Sequence, residues 1–499
     1  METDEWYLEN CEPNDGDEET DLDTAWRGIW VPSRPRSGPP NGSNVSPRRS
    51  PLARALASSP PAWAIALAPV VAVVFVFGAL ASVRTEWSAL ATDPAFFQHT
   101  GWYVLQGGIP YVDVWDVNPP VPFGITAVLA ALSGGDMLVL HALSVGLTTL
   151  VAAASVFLVG WIASLVTDSD AAAVAAGLAM LAVPELFTLP FQGVRAQFYA
   201  LFFGACALAL ALRDRPFVAG AAAALSAGSW QSGAVFALLV VGIAYQRTGA
   251  KSALRTVAGG GVVTAGVVLA FAAAGALAPM VVQTILAPLL AGSPYTLTER
   301  VSSVLLVFGY GSLLLPVALY SWVRGTVRDP GGQWWIPVGG LLFGFQVLFV
   351  DMDGSTDALQ LLAFVALGVA IAVESAIERR STPADRGETA RLDGRRIALA
   401  AIVVAGLFVP LGLAWNVGSP PPRATLERVE TEAEPDVEPL SVTPDDADVP
   451  SMQTIYWEQL EPETCHYRVS WNEVRWVSMT DDRLDRRHCD AWPERIDRQ

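Results

Sequence analysis

The sequence predicts an all-α polytopic membrane protein with a large first extracellular loop and a small C-terminal extracellular domain, and three observations predict it. Hydrophobic residues make up 52% of the 499 residues and charged residues only 16%. The apolar residues come in long runs without a periodic polar face, as in segments surrounded by lipid and by one another. The excess of acids over bases behind the formal net charge of -18 sits mostly in the two tails, which leaves the membrane portion nearly neutral.

The elements follow in chain order. Residues 1–61 read as a disordered cytoplasmic tail. Acids without a base run to residue 26, and then Arg27, Arg34, Arg36, Arg48, Arg49 and Arg54 are spread among Pro, Gly and Ser, a composition that cannot bury enough to fold alone. Arginines just ahead of the first apolar run place this end in the cytoplasm. No short cleavable apolar core marks a signal peptide. Residues 62–82 are the first spanning helix, which delivers residues 93–120 to the outer face.

After Pro119-Pro120 the apolar runs are approximately 121–133, 137–166, 171–183, 196–212, 217–245, 254–277, 302–323, 334–350, 356–377 and 397–415, for about 11–13 helices in all. Runs 121–133 and 171–183 are short for a span of about 20 residues, and 217–245 is long and broken at Ser229-Trp230-Gln231-Ser232. Basic loops at 213–215, 246–251, 324–328 and 378–396 read as cytoplasmic, so 278–301, 351–355 and everything after 416 are expected outside. Residues 62–415 therefore form one transmembrane domain and 416–449 a linker rich in Pro, Glu and Asp. In the terminal domain, 450–499, CHYRVSWNEVRWVSM alternates as a hairpin does. About 45 residues make a marginal core, so it needs docking on the membrane domain or a Cys465–Cys489 disulfide, the latter open only in an oxidising exterior.

Composition also excludes partners. Of 31 Lys and Arg residues only Lys251 is lysine, a bias that resembles extremely halophilic archaeal proteins. In molar salt the Debye length is about 3 Å, so the acidic surface serves solvation and not binding. No basic patch offers a nucleic acid a footprint, and no cysteine spacing suits zinc or haem.

Reactive groups are dense only in residues 93–120, DPAFFQHTGWYVLQGGIPYVDVWDVNPP. Pro94 favours a helix start and Gly107-Gly108 a stop, so 94–106 is expected as a short helix with Asp93 as its N-cap. Asp93, Phe96, His99 and Tyr103 fall on one stripe, and Phe97, Trp102 and Val104 make an aromatic surface suited to a headgroup layer. Such a helix lies along the membrane, not across it. The outward ionisable groups are Arg84, Glu86, Asp93, His99, Asp113, Asp116, Glu185, Arg195, Glu299, Arg300, Asp351, Asp353 and Asp357. Carboxylates come first and isolated arginines behind. Transfer of a sugar from a lipid phosphate needs a carboxylate to accept a proton from the acceptor hydroxyl and cations to hold the leaving phosphate, and this roster fits. A transporter or flippase of glycolipids, the rival reading, calls for charges within broken helices and internal symmetry.

Each residue also has a plainer role. Asp93 caps a helix whatever the function. Asp113 and Asp116 suit turns, His99 an interfacial hydrogen bond, Arg195 a snorkel to headgroups, and Arg300 an exposed pair with Glu299. Asp351, Asp353 and Asp357 around Gly354 lack the acidic twelfth position of a calcium loop and read as a turn and a cap.

A first helix, an outer loop opening on Asp93, and GGIPYVDVWDVNPP leading into the second helix resemble the GT-C membrane glycosyltransferases. The resemblance is nearest to the polyprenyl-phosphate-sugar-dependent group of protein O-mannosyltransferases and aminoarabinose transferases. FVDMDGSTDALQLLAFVALG and CHYRVSWNEVRW are similar to haloarchaeal dolichyl-phosphate-mannose mannosyltransferases of S-layer N-glycosylation. The resemblance implies inverting transfer of mannose or another hexose from a dolichyl phosphate-hexose to a glycan or glycoprotein on the outer face of the cell membrane. No cofactor is implied and no metal site, although a divalent cation is compatible. Protein O-mannosylation is the alternative acceptor chemistry. Asp93 maps to the family's base. Asn118 stands where relatives carry Lys or His before the paired prolines, so Arg195 and Arg300, with His99 behind them and Asp113 and Asp116 in the loop, are the expected substrate-binding residues.

Overall fold

A computed structural model of the chain describes residues 60–84, 90–114, 116–291, 296–328, 331–350, 355–380 and 452–459. The first 59 residues, the linker 416–449, the 397–415 run, Asp351, Asp353, Cys465, Cys489 and the expected hairpin lie outside them.

Among the described residues the chain is helical, apart from one bridge between Pro110 and Val114. The first half comprises α1 Ala62–Arg84, α2 Thr92–Leu105, α3 Val121–Ser133, α4 Met137–Thr167, α5 Asp170–Met180 and the short α6 Glu185–Thr188, followed by α7 Ala196–Leu212, α8 Pro216–Ser229 and α9 Ala234–Thr248. The second half comprises α10 Ala250–Ala273, α11 Leu277–Val281, α12 Ala287–Ala291, α13 Leu297–Phe308, α14 Leu314–Arg328, α15 Trp335–Phe345, α16 Leu359–Arg380 and α17 Met452–Trp457. Five segments are long and apolar enough to cross a membrane, and a sixth is added if the pair Asp170–Met180 and Glu185–Gln192, bent by 79°, counts as one. Five further apolar helices are shorter.

Local chemistry sets the boundaries. Asp136 and Ser169 cap α4 and α5 by accepting from the N–H of Val139 and Ala172. Thr296 and Glu299 form a capping box on α13, which satisfies two otherwise orphaned groups at once. The break expected within 217–245 is real: α8 ends at Ser229 and a short 3-10 turn, Gln231–Gly233, precedes α9. Small residues let backbones approach, as expected between helices in lipid. A Cβ on Gly220 or Gly259 would lie 1.8 Å from the carbonyl oxygen of Thr256 or Phe217 respectively, so α8 and α10 cross in direct contact.

Within 278–301, α11 passes through a π-helical turn, Val282–Leu286, into α12. The run 302–323 holds parts of two helices, α13 and α14, joined by a 3-10 turn at Gly309–Leu313. The aromatic side chains of α2 do not form a headgroup face, because Phe97 and Trp102 are buried. Phe97 packs tilted against Phe123 of α3 at 5.6 Å between ring centroids, and Tyr111 joins Phe123 at 5.9 Å and Phe271 of α10 at 5.4 Å. Packing against α3 outcompetes an interfacial position because it desolvates both partners.

α17 packs against α2. Its Tyr456 is fully buried, with its hydroxyl bonded to the Met137 carbonyl and within 3.3 Å of Gln98 Oε1. His141 Nδ1 lies 3.2 Å from the same Gln98 oxygen. His141 thus joins a polar cluster that ties the C-terminal segment to the helix carrying Asp93.

Candidate active site

Asp93 stands in the first turn of α2 but does not cap it. The N-cap is Ala91, which makes no side-chain bond. The helix starts at Thr92, and Asp93 turns instead to Arg195, whose Nη1 donates to its Oδ2 at 2.9 Å. Arg195 is itself the N-cap residue of α7. Its Nη2 donates to Gln192 Oε1 at 2.9 Å, and its buried Nε has no partner. The pair is asymmetric: the Arg195 side chain is 11% exposed and that of Asp93 45%. The arginine is therefore a fixed cation with the carboxylate at its open edge, which excludes the snorkelling role.

The turn before Arg195 explains the alignment. Gly193 has φ +109° and ψ −156°, a region that is essentially glycine-only. A Cβ there would lie 2.4 Å from Gln98 Nε2 and 3.3 Å from Pro94 Cβ, both on α2. Gln98 is held in turn by its bond to the Pro94 carbonyl at 2.9 Å. The absence of a side chain at 193 thus seats the Arg195 turn directly on the helix that presents Asp93.

The loop after α2 folds back on itself. Asp113 Oδ2 accepts from the Ile109 N–H at 2.7 Å, the turn role open to it from sequence. Asp116 is buried, and Asn118 Nδ2 donates to both of its oxygens, at 2.8 and 3.0 Å. Asn118 thus supports the Asp116 carboxyl. Tyr111 Oη donates to the Asn118 carbonyl at 2.7 Å. From the far side Gln283 Oε1 accepts from the Asp116 N–H at 2.9 Å, and Gln231 donates to the Val117 carbonyl at 2.7 Å.

Burial pushes the Asp116 carboxyl up to about 7; the bonds from Asn118 and the backbone oppose that rise, and the charge of Asp93 adds to it. A carboxyl raised on folding binds its proton more tightly in the native state, so its stabilisation is full below about pH 4 and is lost as pH rises through about 7. Between those limits wild type is expected to lose on the order of 1–4 kcal/mol more stability than Asp116→Asn, measured by unfolding in lipid nanodiscs. Equal pH slopes in the two proteins would refute this.

His99 is fully buried, its ring 5.3 Å from that of Trp102, which makes it part of the core of α2 and not an interfacial side chain. Arg300 is not an exposed partner of Glu299, because Glu299 turns back onto Thr296 in the capping box. Arg300 is buried and donates a bond of 3.4 Å to the Val350 carbonyl, and its Nη1 has no partner among the described residues. Its helix, α13, adjoins the 3-10 turn Ser355–Ala358. There Asp357 accepts from Gln197 of α7 at 2.9 Å, two residues after Arg195. The structure thus unites Asp93 with Arg195, while Arg300 borders the same region through Asp357 and Gln197; Asp116 is held separately by Asn118 and Gln283. Gln98, Gln192, Gly193, Gln231 and Gln283 were not legible beforehand; amides inside apolar stretches were the one available signal. Among the described residues no three His, Cys, Asp or Glu side chains gather as metal ligands do.

Comparison with known proteins follows the same span. Residues 107–270 match the family model described as DolP-mannose mannosyltransferase. That stretch includes Asp113, Asp116 and Arg195, while Asp93 precedes it. Over 437 residues the chain is 28% identical to the dolichol phosphate-mannose mannosyltransferase of Haloferax volcanii, covering 82% of this chain and 92% of the relative. Among solved structures it overlays the Archaeoglobus fulgidus oligosaccharyltransferase in its apo form with a TM-score of 0.45 and 14% identity, over 77% of this chain and 61% of the other. The form with zinc and sulfate gives 0.41 and 15%. The chain spans about three fifths of the length of those structures.

Proposed function

We propose that this chain is a glycosyltransferase that moves mannose from dolichyl phosphate-mannose to a glycan hydroxyl on the outer face of the cell membrane, with inversion at the anomeric carbon. The reading rests on the Asp93–Arg195 pair, which brings a half-exposed carboxylate and a buried, fixed cation together from helices 102 residues apart. The matched family model and the Haloferax volcanii relative supply the donor.

In this mechanism the acceptor hydroxyl gives its proton to Asp93 as its oxygen attacks the anomeric carbon. The bond from that carbon to the phosphate oxygen breaks, and the electron pair leaves on dolichyl phosphate. Arg195 faces the charge that develops there, and the unpartnered Nη1 of Arg300 offers a second donor. Charge stabilisation by pre-oriented donors is the large term in such a step. The loop with Asp113 and Asp116 lines the acceptor side. The process proposed for this addition is S-layer protein N-glycosylation, as the sequence resemblance implies.

The test is transfer of labelled mannose from dolichyl phosphate-mannose by purified protein in liposomes, with a surface glycoprotein lacking its terminal hexose as acceptor. Label in the acceptor, in the linkage opposite to that of the donor, is the expected result. Retained configuration would overturn the mechanism. Lipid movement across the bilayer without transfer would favour the flippase, and label on serine or threonine would favour protein O-mannosylation.

A further inference from the structure

We infer that Gln283 is a positioning residue for transfer: from the π-helical turn between α11 and α12 it clamps the backbone at Tyr111 and Asp116 and so fixes where Asp116 stands. The inference rests on the reading that this loop and Asp93 flank the reacting sugar. Gln283 is buried in the turn VQTIL, beside the buried Thr284. Isolated π-turns inside helices recur at functional sites. The side-chain amide has one acceptor oxygen and an NH₂ donor, and both ends are used on one target. Oε1 accepts from the Asp116 N–H at 2.9 Å, and Nε2 donates to the Tyr111 carbonyl at 2.8 Å.

The two bonds cross 167 and 172 residues of sequence, so they hold the loop against a separate part of the fold. Asparagine, one methylene shorter, cannot span both groups, and an apolar side chain leaves the Tyr111 carbonyl and the Asp116 N–H unpaired. Gln231 extends the clamp, donating to Val117 and, at 3.4 Å, to the Thr284 carbonyl beside Gln283. The charged and titratable groups around Asp116 are Asp93 on α2, itself paired to Arg195, and Tyr111 in the same loop. Asn118, Gln231 and Gln283 are neutral.

Gln283→Met keeps length and volume while removing both bonds, and Gln283→Ala is the second variant. Each is measured for kcat and for KM toward dolichyl phosphate-mannose. Each is also compared with and without Asp116→Asn for the pH dependence of unfolding that belongs to Asp116. For Gln283→Met we expect kcat to fall at least tenfold with KM changed less than threefold. The pH step of Asp116 should move down from about 7 as water reaches the loosened carboxyl. A variant with wild-type kcat and an unmoved step would overturn the clamp. If wild type does not transfer from this donor, the donor reading fails, and the position of the pH step alone decides the clamp.

Discussion

Asp93→Asn is expected to lower mannosyl transfer by a factor of about 10²–10⁴, the range associated with removing a positioned general base. The substitution keeps the shape of the side chain, and its amide oxygen can still accept from Arg195, so the helix start and the turn at 193 stay in place. What is lost is the proton acceptor at the open edge of the pair. The measurement is transfer from labelled dolichyl phosphate-mannose at matched protein level in membranes, with Asp93→Glu expected to keep partial activity. Full transfer by Asp93→Asn would remove Asp93 from the role of base and leave Asp113 or Asp116 to be tested in it. Arg195→Lys sharpens the interpretation. Lysine restores the charge but cannot bond Asp93 and Gln192 from a planar fork at once.

Gly193→Ala carries the second large effect, and it acts without touching either charged group. The backbone there has φ +109° and ψ −156°, which costs a residue with a Cβ roughly 1–3 kcal/mol. The added carbon would also lie 2.4 Å from Gln98 Nε2. Either the turn lifts off α2 or Gln98 gives up its bond to Pro94. Arg195 is then carried out of register with Asp93. Transfer should fall more than tenfold, and the thermal midpoint should drop as well. Adding Gln98→Ala removes the clash but not the backbone cost, so it should restore only part of both. A Gly193→Ala protein that melts and transfers as wild type does would show that the contact between this turn and α2 does not set the geometry of the pair.

The C-terminal segment joins the same argument through Gln98. Tyr456 reaches Gln98 across 358 residues, and Gln98 also borders Gly193. One amide therefore lies between the C-terminal helix and the turn that aims Arg195. A glutamine in FFQHTGWY offers no local sign of either contact.

Much of the chain was determined by the sequence itself. Helical class, the run boundaries near 121–133 and 196–212, the break after Ser229 and the crowding of carboxylates in 93–116 follow from hydropathy and from Pro, Gly and capping residues, which act over a few neighbouring positions. Tertiary structure alone decided the rest. An arginine at the mouth of an apolar helix reads the same whether it snorkels or pairs, and only the seating of Gly193 on α2 turned Arg195 toward Asp93. Aspartate before proline reads as a cap, and the nearby cation drew Asp93 into an ion pair instead. Phe97 and Trp102 have the composition of an interfacial face, yet α3 covers Phe97 and both rings are buried. The bonds that hold Asp116 come from a glutamine 167 residues away. Helix formation is local in the chain, whereas a site built from buried polar partners depends on which faces meet.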